Sequence, residues 1–157
     1  MDKKALILVV DDNSECRELL VEILELHGFR VIAATCGREA VDLGIAFQPG
    51  LILMDLSMPG MNGYEATQAI HAHPRGRKIP VVAVSADCTD VFASKAFELG
   101  FTACLAKPWE KEALLKIVAK ALASGVKRTH ASSLVEKRSE RVSRLRGSHR
   151  GQTQKAA

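Results

Sequence analysis

Four short apolar runs in this chain each stop at a polar residue suited to handling a phosphate. Ala5-Leu6-Ile7-Leu8-Val9-Val10 stops at Asp11-Asp12, and Leu51-Ile52-Leu53-Met54 stops at Asp55. Pro80-Val81-Val82-Ala83-Val84 stops at Ser85, and Thr102-Ala103-Cys104-Leu105-Ala106 stops at Lys107-Pro108. Runs this short and this continuously apolar fit parallel strands buried on both faces. In a parallel α/β sheet the carboxyl ends of the strands share one edge, and ligands bind there. Three carboxylates, a hydroxyl and an ammonium would then meet in one pocket. Such a set suits a magnesium ion and a transferable phosphoryl group.

Helical patterns separate the runs. Cys16, Leu19, Leu20, Ile23 and Leu24 recur at three- and four-residue spacing, and His27-Gly28 gives a stop. A second helix is expected over about 37–47, ended by Pro49-Gly50. Asn62-x-x-Glu65 reads as a capping box opening a third helix through His71. A fourth is expected over about 89–99 and a fifth over about 110–123. With strands near 5–10, 30–34, 51–55, 80–84 and 102–106, the chain holds five βα units in succession. Right-handed crossovers turn that order into an α/β, doubly wound parallel sheet.

At 157 residues the chain allows one such domain plus a modest extension. Its net charge of +4 is unevenly spread. Residues 1–123 carry 13 Lys and Arg against 16 Asp and Glu, whereas residues 124–157 carry 9 against 2. Aromatics vanish after Trp109. A domain is therefore expected over 1–123, followed by a basic, flexible tail over 124–157. The tail has a partial stripe of Leu134, Arg138, Arg141 and Leu145, too thin for a helix-turn-helix module. A solvated segment with at most salt-sensitive, non-specific attraction to nucleic acid is expected. Cys16, Cys36, Cys88 and Cys104 show no C-x-x-C spacing, so neither a disulfide framework nor a zinc site is expected. No signal peptide or membrane span is visible, and a reducing cytoplasm is the expected setting.

The individual residues differ in weight. Asp11 or Asp12 alone is equally explained as a cap for the helix beginning near Ser14. Asp55 is harder to explain away, because a carboxylate ending an apolar strand has no partner in its own segment. Beside Asp11 and Asp12 it would suffer like-charge crowding, which raises pKa unless a cation intervenes. Lys107 supplies a positive charge for a phosphate or for Asp55, and the bond to Pro108 after it is a candidate cis peptide. Ser85 offers a hydroxyl donor. His71 and His73, beside Pro74, read as exposed helix-end histidines rather than metal ligands.

Taken jointly, these residues resemble the receiver domain of bacterial two-component response regulators, the CheY-like family. Val10-Asp11-Asp12-Asn13, the run from Met54 to Gly63, Ser85-Ala86 and Lys107-Pro108-Trp109 carry the resemblance, which spans residues 5–123. It implies a flavodoxin-like (βα)5 sheet of strand order 2-1-3-4-5. It implies Asp55 as the phosphoacceptor for a phosphohistidine on a histidine kinase or phosphotransfer protein. Asp12 and Asp55 would hold Mg2+ (or Mn2+) with the Ser57 backbone carbonyl, and Asp11 would act largely through water. Ser85 and Lys107 would hold the phosphoryl oxygens, and Ser57 and Asp87 would tune hydrolysis of the acyl phosphate.

One position departs from the family. Where relatives carry Tyr or Phe three residues before the lysine, this chain has Cys104, too small to fill and vacate a pocket as a ring does. The expected function is a stand-alone response regulator, not an enzyme, acting through protein–protein contact with no separate output domain. Two alternatives stay open at this point: a phosphorylation-independent interaction module, and a nucleic-acid-binding regulator working through the tail.

Overall fold

The structure is a computed structural model and describes residues 4–89 and 95–125. Strand β1 (Leu6–Val10) leads to α1 (Ser14–Leu26), β2 (Arg30–Ala34) to α2 (Gly37–Phe47), and β3 (Leu51–Asp55) to α3 (Gly63–Ala72). Strands β4 (Val81–Ser85) and β5 (Ala103–Ala106) follow, and a last helix covers 111–125. The five strands pair in parallel in the order β2-β1-β3-β4-β5. The doubly wound sheet expected from the sequence is borne out. Of the expected helix over 89–99, residues 95 and 96 are helical and 97–99 form a turn, while 90–94 lie outside the described residues. The tail from residue 124 does so too, apart from residues 124 and 125, which continue the last helix.

Every residue of β3 and β4 is buried, which is why both read as unbroken apolar runs. Successive side chains point to opposite faces and build two separate cores. Leu8, Val10, Ile52, Met54, Val81 and Ala83 pack with Ala40 of α2 and with Ala66 and Ile70 of α3. Ile7, Val9, Leu51, Leu53, Val82 and Val84 pack with Leu20 and Leu24 of α1 and with Leu114, Val118 and Ala121 of the last helix. Burying a Leu or Ile side chain contributes about 1.5–3 kcal/mol, so the central strands anchor the sheet. The carboxyl edge of the sheet, where β1, β3, β4 and β5 end, is thereby held on a rigid base.

Local signals set where the helices begin. Asn13 caps α1 by accepting from the Cys16 backbone N–H at 2.9 Å. That settles the question left open for Asp11 and Asp12: neither is the cap. Asn62 accepts from the Glu65 N–H at 2.9 Å while Glu65 Oε1 accepts from Asn62 Nδ2 at 3.3 Å, so the pair caps α3. Gly63 opens α3 with its N–H donating to the Leu56 carbonyl at 3.2 Å, folding the loop after Asp55 back onto itself. The Lys107–Pro108 peptide is cis. His71 and His73 are partly buried rather than exposed, and His71 Nε2 meets the Ile79 carbonyl at 2.9 Å.

Candidate functional site

Asp11, Asp55, Ser85 and Lys107 meet at the carboxyl edge because their strands are neighbours. Val10 is in register with Met54, Asp55 with Val84, and Ser85 with Ala106. Asp11, Asp55 and Ser85 are buried, Lys107 is partly exposed and Asp12 faces solvent. Asp11, Asp12 and Asp55 each offer a carboxylate oxygen, and these oxygens lie within 4.8 Å of one another.

Lys107 Nζ donates to Asp11 Oδ2 at 3.1 Å and stands 3.6 Å from Asp55 Oδ1. The Asn13 N–H donates to Asp11 Oδ1 at 2.9 Å, and Arg17 Nη1 donates to the Asp11 carbonyl at 3.0 Å. Asp55 Oδ1 accepts from the Ser57 N–H at 3.3 Å. Ser85 Oγ accepts from the Asp87 N–H at 3.2 Å, and the Lys107 N–H donates to the Ser85 carbonyl at 2.9 Å. Ser57 and Asp87 side chains lie at the exposed rim.

The charges explain the titration behaviour. Burial, and then the Asp11 carboxylate, push the Asp55 carboxyl up to about 6, with Asp12 adding to the rise. Lys107 and the Ser57 N–H pull the other way without cancelling it. Burial opposes the Lys107 ammonium, but its hydrogen bond to Asp11 and the nearby Asp11 and Asp55 carboxylates outweigh burial and raise its pKa. Three carboxylates facing one ammonium leave a surplus of negative charge. A hard divalent cation that takes oxygen ligands fits this donor set.

Sequence reasoning paired Lys107 with a phosphate or with Asp55, and its shorter contact is with Asp11. Asp11 thus makes a direct ion pair with Lys107, a contact that the resemblance had not given. Arg17 was missed, because nothing in its spacing points from α1 back to the Asp11 carbonyl. The expectation of no disulfide is corrected: Cys88 and Cys104 are joined, with Cα atoms 6.0 Å apart. Their separation in sequence is 16 residues and carries no motif, but β4 and β5 are adjacent, with Ala83 in register with Cys104. Cys16 and Cys36 remain thiols.

Residues 7–119 match the family profile of the response regulator receiver domain. The chain belongs to that family. Protein PilH of Pseudomonas aeruginosa is 34% identical over 119 residues, covering 76% of this chain and 98% of PilH. Among solved structures, Vibrio cholerae chemotaxis protein CheY4 superposes with a TM-score of 0.71 at 27% identity, over 75% of this chain and 98% of CheY4. The receiver domain of sensor histidine kinase PA1611 from P. aeruginosa gives 0.70 at 29% identity, over 76% and 98% of the two chains. That receiver has a magnesium ion coordinated in its active site cleft. Among the described residues of the present receiver, no helix is long and apolar enough to cross a membrane.

Proposed function

We propose that this receiver is a response regulator that accepts a phosphoryl group on Asp55 and passes the signal on by protein–protein contact. The observation that carries the reading is the convergence of Asp55 with Lys107, Asp11 and Asp12 at one sheet edge. Magnesium, held by the Asp11, Asp12 and Asp55 carboxylates with the Ser57 carbonyl, would neutralise the charge of the phosphoryl group. Asp55 attacks the phosphorus of a phosphohistidine on a histidine kinase or phosphotransfer protein. The P–N bond breaks, an acyl phosphate forms, and the leaving imidazole takes up a proton. Lys107 and Ser85 hold the phosphoryl oxygens as charge shifts onto them, so the protein's contribution is positioning and electrostatics. The chemistry is confined to the receiver's own carboxylate. The tail enters as a region of charge, with only non-specific attraction to nucleic acid.

The test is intact mass after incubation with magnesium and acetyl phosphate, beside Asp55→Ala. One phosphoryl adduct on the wild type and none on the variant is expected. No adduct on the wild type, with no magnesium-dependent change in Trp109 fluorescence, would favour the phosphorylation-independent module.

A further inference from the structure

Cys88 and Cys104 sit on the two elements that carry the phosphoryl-holding side chains. Cys88 lies in the loop leaving β4, three residues after Ser85, and Cys104 lies in β5, three residues before Lys107. Both are half-buried, within reach of a small molecule. Their Cα separation of 6.0 Å falls in the range a disulfide spans without backbone movement. Cys16 and Cys36, elsewhere in the fold, remain thiols and serve as internal references.

We propose that Cys88 and Cys104 are a reversible thiol-modification site whose disulfide slows phosphoryl uptake by tying the Ser85 loop to β5. The coupling rests on the phosphoacceptor reading above; the bond itself does not. The co-reactant is a low-molecular-weight disulfide such as glutathione disulfide. One cysteine thiolate attacks it, giving a mixed disulfide and releasing one thiol. The second cysteine then displaces the other thiol. The two cysteines lose two protons and two electrons in all, and the small disulfide is reduced to two thiols.

The consequence for the site follows from the loop. Ser85 Oγ already accepts from the Asp87 N–H at 3.2 Å, in the short segment that leads from β4 to the bonded Cys88. A phosphoryl group on Asp55 would be held by Ser85 and Lys107, which stand on the two elements that the bond links. With the bond formed, the Ser85 loop and β5 move only together. With it reduced, Ser85 stays paired with β5 through its backbone, but residues 86–88 after it are released and let its hydroxyl turn to the phosphoryl oxygens.

The full chain is equilibrated in oxidised or reduced glutathione, quenched with a maleimide and weighed intact. Two maleimide adducts in the oxidised buffer and four in the reduced one are expected, with the Cys88 and Cys104 peptides linked only in the first. Four adducts in both buffers would overturn the site. Initial rates of acetyl phosphate labelling are then compared. The reduced protein is expected to label faster, on the order of 2- to 30-fold, the range of a modest energetic coupling. Cys104→Ser and Cys88→Ser, checked by circular dichroism, should label alike in both buffers. The wild-type comparison stands without them should either fail to fold. Equal wild-type rates with the bond confirmed would overturn the coupling. No adduct in either buffer would overturn the phosphoacceptor reading, a result the maleimide count distinguishes from failure of the bond.

Discussion

Lys107 Nζ bonds Asp11 Oδ2 at 3.1 Å but stands 3.6 Å from Asp55 Oδ1, so the lysine is anchored on one carboxylate and reaches toward the other. Asp11 is 1% exposed, and among the described residues its side-chain oxygens accept from Lys107 and the Asn13 N–H. Lys107→Met keeps the stem and removes the charge. The buried carboxylate then loses its counter-ion, at a cost of about 1–3 kcal/mol. The cost stays below that of breaking a fully buried pair because the lysine side chain is 25% exposed. Urea unfolding with an unchanged slope should show a lower midpoint, and added magnesium should recover part of the loss. A midpoint equal to wild type would mean the pair contributes nothing.

Asp55 supplies a pH prediction whose sign is fixed by its raised pKa. Its carboxyl moves from 3.8 to about 6 in the folded protein, chiefly through burial and Asp11. Between those values the folded state holds a proton that the unfolded state has released. The stability from this group is therefore fully present below about 3.8 and fades as pH rises through about 6. Asp55→Asn has no such proton to lose. Urea midpoints measured without metal from acidic to neutral pH should show Asn gaining on wild type across that window. Magnesium should shrink the difference, since a cation favours the ionised carboxylate. Parallel profiles for the two proteins would contradict the raised pKa.

What was legible in the sequence is what short segments dictate. β3 and β4 announce themselves because both faces of each are buried, and Asp55 stands out as the first residue of its run that water would prefer. The Asn62–Glu65 cap is readable for the same reason, since its partners are three residues apart. Asp11 differs, because its partner Lys107 arrives only when β1 and β5 are brought to a common edge. The pairing of Cys88 with Cys104 was hidden in the same way. Strand order places β4 beside β5, but which way the loop residue Cys88 points depends on packing that no local spacing records.

Two glycines near Asp55 separate steric from conformational cost. A Cβ on Gly63 would run into the backbone of Asp55 and Leu56, neither of which can yield without moving the Asp55 carboxylate. Gly60 has nothing within 4 Å of such an atom, yet its φ is +73°. Gly60→Ala should cost about 1–2 kcal/mol through backbone strain alone and leave magnesium binding unchanged. Gly63→Ala should cost about 1–3 kcal/mol through overpacking and also weaken magnesium binding, read from Trp109 fluorescence. If the two variants bind magnesium alike, the Gly63 turn does not position Asp55.

The disulfide has a stability consequence independent of any role in phosphorylation. Closing a loop between residues 16 apart restricts the unfolded chain, which in the chain-entropy account stabilises the fold by about 3 kcal/mol. Reduction of the wild type should lower the unfolding free energy by about that amount, seen as a lower urea midpoint, and Cys104→Ser should sit near the reduced wild type and ignore reductant. Cys16→Ser and Cys36→Ser should keep the full response, because neither residue is bonded. In the chain-entropy account the loss appears mainly as a change in the unfolded state. Wild type whose midpoint is indifferent to reductant, with the bond shown to be broken, would mean that the folded state stores strain equal to the entropy removed.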